Sequence, residues 1–158
     1  AAEDAPFEAL EQIAKRARLV RCRAGFVKEP EWTSYYGLLY PDAAKLQTEE
    51  NRKRIALMAK HGDTPNAARR IGLYVFFPSE STRLLYSEEA RLSGFAVGEA
   101  VFEPEHDLAH GVALYHITSL DKREIDRLTT RAIRIAEKYE GVLRYWDAPI
   151  TKRASPLM

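Results

Sequence analysis

Residues 71–77, inside "RRIGLYVFFP", are apolar at almost every position. A strand with one face in water alternates instead, because successive side chains point to opposite sides of the sheet. Here Ile71, Leu73, Val75 and Phe77 would line one face, and Tyr74 and Phe76 the other. Such a strand belongs inside a sheet, with something against both faces. The functional question is what covers the second one: the rest of this chain, a partner protein, or stacked nucleic-acid bases.

The surrounding pattern predicts the sheet. A helix over 80–93 has Leu85 and Leu92 facing inward and stops at Gly94, a good left-handed residue past a helix end. Residues 95–102 read as a strand, "EPEHDLAHG" as a polar connection, and 111–118 as a third strand. Asp121 and Glu124 have capping-box spacing. The helix they open carries Ile125, Leu128, Ala132, Ile135 and Tyr139 three or four apart, and Gly141 ends it. Residues 142–146 make a last strand, and "APITKRASPLM" reads as a fraying tail. The order β-α-β-β-α-β over 70–147 predicts an α+β, ferredoxin-like sandwich with both helices on one face of an antiparallel sheet. The other face is left bare.

Upstream, Thr48 is a candidate N-cap, with Glu49 and Glu50 in the first turn. That helix would turn Ile55, Met58 and Ala59 inward and stop at Gly62, before Pro65. Residues 1–45 form an N-terminal helical and strand extension. They comprise an amphipathic helix over 5–19 (Phe7, Leu10, Ala14, Ala17), a basic segment, and the aromatic stretch "EWTSYYGLLYP". Trp32, Tyr35, Tyr36 and Leu38 are expected to pack on or beside the sheet. The domain division is therefore 1–45, 46–150, and a flexible tail over 151–158.

Composition excludes several classes. No apolar run approaches the roughly 18 residues that cross a bilayer. A net charge of +1, from 24 Lys and Arg against 23 Asp and Glu, predicts no general affinity for nucleic acid or membrane. The lopsided patch is Lys15, Arg16, Arg18, Arg21, Arg23 and Lys28, with no acid among them. Cys22 is the single cysteine, so it forms no disulfide within the chain. It lies among cations that favour a thiolate, but no histidine is identified as its partner. No nucleophile elbow, phosphate loop or dinucleotide fingerprint is present, and no paired carboxylates lie in an apolar setting. The reading is of a protein that is not an enzyme and needs no cofactor, working in the cytoplasm, with a processed exported form left open.

Two binding chemistries can be weighed on the residues. RNA recognition modules share this connectivity and stack bases on aromatics of the two central strands. "LYVFFP" fits the first-strand signature, with Tyr74 at the stacking position. The third strand reads His110-Gly111-Val112-Ala113-Leu114, aliphatic at both stacking positions. An RNA-binding alternative would use Tyr74, Tyr115 and the basic segment over 15–28. The weaker alternative is a metal site at His106, His110 and His116. "HDLAH" has the spacing of a zinc helix, but Asp replaces the Glu and the stretch follows Pro104 between two strands.

The stretch "TEENRKRIALMAKHGDTPNAARRIGLYVFFPSES" resembles the opening of the bacterial family of regulators of ribonuclease activity, type B, the protein inhibitors of ribonuclease E. Gly62, Asp63 and Pro65 stand in that family's small turn between helix and first strand. "SGFAV" at 93–97 and "AEKYEGVLRYW" at 136–146 are similar to its later motifs, and the resemblance spans about residues 46–147. It departs where the family has Asp-Gly before the Trp and this chain has Arg144-Tyr145, and in its near-neutral charge. The resemblance implies a non-catalytic, protein-binding regulator whose partner is a ribonuclease, with no catalytic residues to carry over. Candidate contacts are Tyr74, Phe76, Tyr115, Trp146, Arg18, Arg21 and Arg23.

Overall fold

The computed structural model describes residues 12, 13, 15, 16, 31 and 41–152. The chain forms two compact units, Ala1–Tyr40 and Pro41–Met158. In the first, Gln12, Ile13, Lys15 and Arg16 are helical, as the amphipathic pattern predicts. Trp32, Tyr35, Tyr36 and Leu38, expected on the sheet, lie outside the described residues. Among those residues, no helix is long and apolar enough to cross a membrane.

The second unit contains α1 (Ala43–Lys60), β1 (Arg69–Phe77), α2 (Glu80–Leu92), β2 (Ala96–Phe102), β3 (His110–Thr118), α3 (Lys122–Glu137) and β4 (Val142–Asp147). The four strands form one antiparallel sheet in the order β2-β3-β1-β4, so β1 is a central strand as its two-sided apolar pattern requires. Ile71, Leu73, Val75 and Phe77 are all fully buried against the helical side. They share a core with Tyr86 and Ala90 of α2 and Ile125, Leu128 and Ala132 of α3. Completely burying one such aliphatic side chain is worth about 1.5–3 kcal/mol, so this layer dominates the fold's stability.

α3 follows its sequence pattern closely. The Asp121 carboxylate accepts from the amides of Arg123 and Glu124, and the apolar face is buried along its length. Gly62 and Gly94 take positive φ past the ends of α1 and α2, as their positions predict. Gly141 is needed for a different reason. The left-handed residue there is Glu140, while a Cβ on Gly141 would stand 2.2 Å from the Phe77 ring.

Four expectations are corrected. α1 starts at Asp42, whose carboxylate accepts from the Lys45 amide at 2.8 Å, and Thr48 lies inside the helix with its hydroxyl on the Ala44 carbonyl. Ala59 of α1 is exposed; Met58 and the polar Asn51 are the buried residues. Leu85 and Leu92 of α2 point to solvent, the latter 88% exposed, because Tyr86 and Ala90 take the inward positions. The segment after β4 is tied down through residue 152: the Thr64 amide donates to the Thr151 carbonyl, and Lys152 pairs antiparallel with Asp63 through the backbone.

That last attachment centres on a buried ion pair. Arg69 and Asp63 have side chains 3% and 1% exposed. Arg69 also donates to the carbonyls of Ala67, Thr64 and Pro149, and Asp63 accepts from the Thr151 amide at 2.8 Å. Burial alone would raise the Asp63 pKa, but the Arg69 hydrogen bond, the Thr151 amide and the Arg69 charge outweigh it and hold the carboxyl below its usual range. This network gives the Gly62-Asp63-Pro65 turn its physical purpose: it joins the end of α1, the start of β1 and the segment after β4.

Candidate functional site

Opposite the helices, β1 turns Arg70, Gly72, Tyr74 and Phe76 outward, and β3 turns out Gly111, Ala113, Tyr115 and Ile117. The stacking positions assigned to Val112 and Leu114 therefore point into the core, where both are buried. From β3 it is Tyr115, one residue further, that joins Tyr74 on this face.

β4 supplies the third side. Strict alternation would put Arg144 and Trp146 on one face and Leu143 and Tyr145 on the other. Instead the register shifts against β1: Tyr145 pairs with Tyr74 and Leu143 with Val75, leaving Arg144 as the extra residue. That bulge sends both Leu143 and Trp146 inward. Trp146, offered by the sequence as a partner contact, is 1% exposed, with its Nε1 donating to Asn51 Oδ1 at 2.8 Å. Tyr145 takes the outward place instead, 41% exposed.

The outward face has two halves. Toward the C-terminal end of β1, Phe76 lies across Gly111, where any Cβ would meet the ring at 2.6 Å, and is buried. The Arg144 guanidinium stands 3.7 Å from the Phe76 ring centroid. It reaches on to Glu103 at 2.5 Å and the Leu108 carbonyl at 2.7 Å, strapping the β2–β3 connection over this end. The chain's own residues thus cover Phe76, which is withdrawn as a contact residue.

The other half is open. Tyr74 and Tyr145 stack with centroids 4.5 Å apart, and the Tyr74 hydroxyl donates to Asp147 Oδ2 at 3.2 Å. Tyr115 lies over Gly98, where a Cβ would meet its ring at 2.5 Å, and the Arg70 guanidinium stands 4.6 Å from the ring centroid. Arg70, Tyr74, Tyr115, Asp147, Ala148 and Pro149 line a recess of about 340 Å³. Partial burial, then the Asp147 charge and hydrogen bond, push the Tyr74 phenol up to about 12, so it stays a neutral donor throughout the physiological range. The surface therefore presents aromatic faces, one cation and one carboxylate at fixed positions.

Of the candidate residues named from the sequence, Tyr74 and Tyr115 lie on this half-face; Arg70, Tyr145 and Asp147, also on it, were not named. The signal for Arg70 was its parity with Tyr74. The other two depended on the bulge, which no residue type announces. Arg18, Arg21, Arg23 and Cys22 lie outside the described residues.

The histidines are not brought together. His110 and His116 stand near opposite ends of β3, roughly 20 Å apart at strand rise. His110 packs on Phe102 and His116 on Phe95, while exposed His106 lies 3.7 Å from Glu103. Among the described residues, no three His, Cys, Asp or Glu side chains are placed to share a metal ion.

Comparison with known proteins adds one match. Residues 48–148 fit the model of a family described as regulator of ribonuclease activity B, close to the span of the resemblance. No curated protein matches the chain.

Proposed function

This chain belongs to the regulator of ribonuclease activity B family, and from that premise we propose that it acts without catalysis of its own, by binding a ribonuclease of the ribonuclease E type and lowering its activity. The observation that carries the reading is the open half-face, where Tyr74, Tyr115 and Tyr145 stand with Arg70 and Asp147 on three neighbouring strands. Tyrosine and arginine are the residue types that dominate protein–protein contact energies, because each offers a large rigid surface with a polar end. A stacked pair held by Asp147 is also preorganised, so little ordering entropy remains to be lost on binding. On this reading the chain works in the cytoplasm, with its enzyme.

The test is a titration of the purified chain against a ribonuclease E-type enzyme, reading both binding heat and cleavage of a fluorogenic RNA. Saturable inhibition that follows the binding isotherm is expected. Binding heat with undiminished cleavage would sink the inhibitory part, and neither signal would sink the whole proposal.

A further inference from the structure

The helical side carries a second surface that the reading above does not use and that does not depend on it. Six of the side chains from Lys122 to Lys138 are cationic and three acidic, whereas the whole chain is nearly balanced. Arg127, Arg131, Arg134 and Lys138 are spaced four, three and four residues apart, which aligns them along one side of α3. With Ser93 at the end of α2 and Thr130, they line a groove of about 450 Å³.

Internal acids only partly occupy these charges. Arg127 meets Glu124 in an exposed pair at 2.5 Å, and Lys138 pairs with Glu89. Such exposed pairs are worth little and yield readily to a competing anion. The Arg131 guanidinium lies over the Phe95 ring, 4.4 Å from its centroid, and the residue is exposed to solvent. Arg134 is exposed and has no ion-pair partner among the described residues. Asp126 also borders the groove, but its oxygens are taken by Asn51 and Lys122. The backbone beneath is the best-anchored helix of the unit, so the cations start from fixed positions.

The large apolar side chains directly beneath the cations are closed off. Ile135 is 6% exposed, and Phe95 is 3% exposed beneath Arg131. A protein partner would add apolar or aromatic contacts to these cations, whereas a polyphosphate needs only the aligned cations themselves. Guanidinium forks match phosphate oxygens bidentately, and the Thr130 hydroxyl adds a donor. We propose that this groove binds the sugar-phosphate backbone of single-stranded RNA without reading its sequence.

The experiment is fluorescence anisotropy of a short, unstructured, labelled RNA with the full chain across a salt series, repeated for R127E/R134E and for R18S/R21S/R23S. Both groove side chains are exposed, so the double variant should lose little more than the weak Arg127–Glu124 pair and unfold close to the parent. The expected result is that R127E/R134E weakens binding roughly tenfold or more and lowers the salt slope by about one and a half, as two phosphate contacts on a single strand require. R18S/R21S/R23S should keep most of the affinity. The proposal is overturned if RNA does not bind at low salt, or if the groove variant binds like the parent. It is equally overturned if loss follows the N-terminal variant alone, or if polyglutamate binds as tightly as RNA.

Discussion

Tyr145 and Trp146 are neighbours on β4, yet they meet opposite fates. The Trp146 ring is sealed in the core, hydrogen-bonded to Asn51 and faced by Arg54 of α1, whose side chain also donates to the Trp146 carbonyl at 2.5 Å. The Tyr145 ring lies outside, stacked on Tyr74. The same contrast runs along β1, between Ile71, Leu73, Val75 and Phe77 on one face and Arg70 and Tyr74 on the other. The helical face answers to the stability of this chain. The open half-face is ordered as carefully, and its aromatics are left half-exposed, which intramolecular packing alone does not require.

Substitutions on the two faces should therefore separate stability from binding. Trp146→Ala should be the most severe, losing about 4 kcal/mol or more, because it removes a buried indole and one of the two donors to the Asn51 carbonyl. A denaturation midpoint measured by urea would show it. Leu73→Ala follows at roughly 3 kcal/mol, with transfer and cavity terms adding. Asn51→Leu comes next, at about 2 kcal/mol. Asn51 Oδ1 accepts from Trp146 and Gln47 while Nδ2 donates to Asp126 and Thr129, so its loss leaves the buried Trp146 Nε1 donor unpaired. Tyr145→Ala should cost under about 1 kcal/mol of stability, the value of one exposed aromatic pair. If Tyr145→Ala destabilised as much as Leu73→Ala, the distinction between the faces would collapse.

Acid should also loosen the turn behind β1. The folded protein depresses the Asp63 pKa, so the associated stability is fully present above the unfolded value, about 3.9, and is lost as pH falls through the folded value. Asp63→Asn should flatten that part of a stability–pH curve while lowering stability at neutral pH. An unchanged acid limb would contradict the network.

What was legible in the sequence follows how each element is held. β1 and α3 are held by apolar burial, and periodicity reports burial directly, so their existence and inward faces were readable. α1 docks instead through Asn51, a polar hub invisible to any hydrophobic pattern, and its start was misplaced because Asp42 and Thr48 are both acceptable caps. In α2, three apolar residues in a row, Leu84, Leu85 and Tyr86, allow more than one inward face, and bulk favoured Tyr86. The half-face was half legible. Tyr74 and Tyr115 follow from parity, while Tyr145 and Asp147 depend on the single extra residue at Arg144. One inserted residue reverses which of two adjacent aromatics a strand presents.

The most direct test of the central claim is the affinity of the Y74A/Y145A double variant for a ribonuclease E-type enzyme, measured beside its urea midpoint. The account predicts a near-parental midpoint and at least a tenfold loss of binding and inhibition. Parental affinity in that folded variant would show that the open half-face is not where the partner sits.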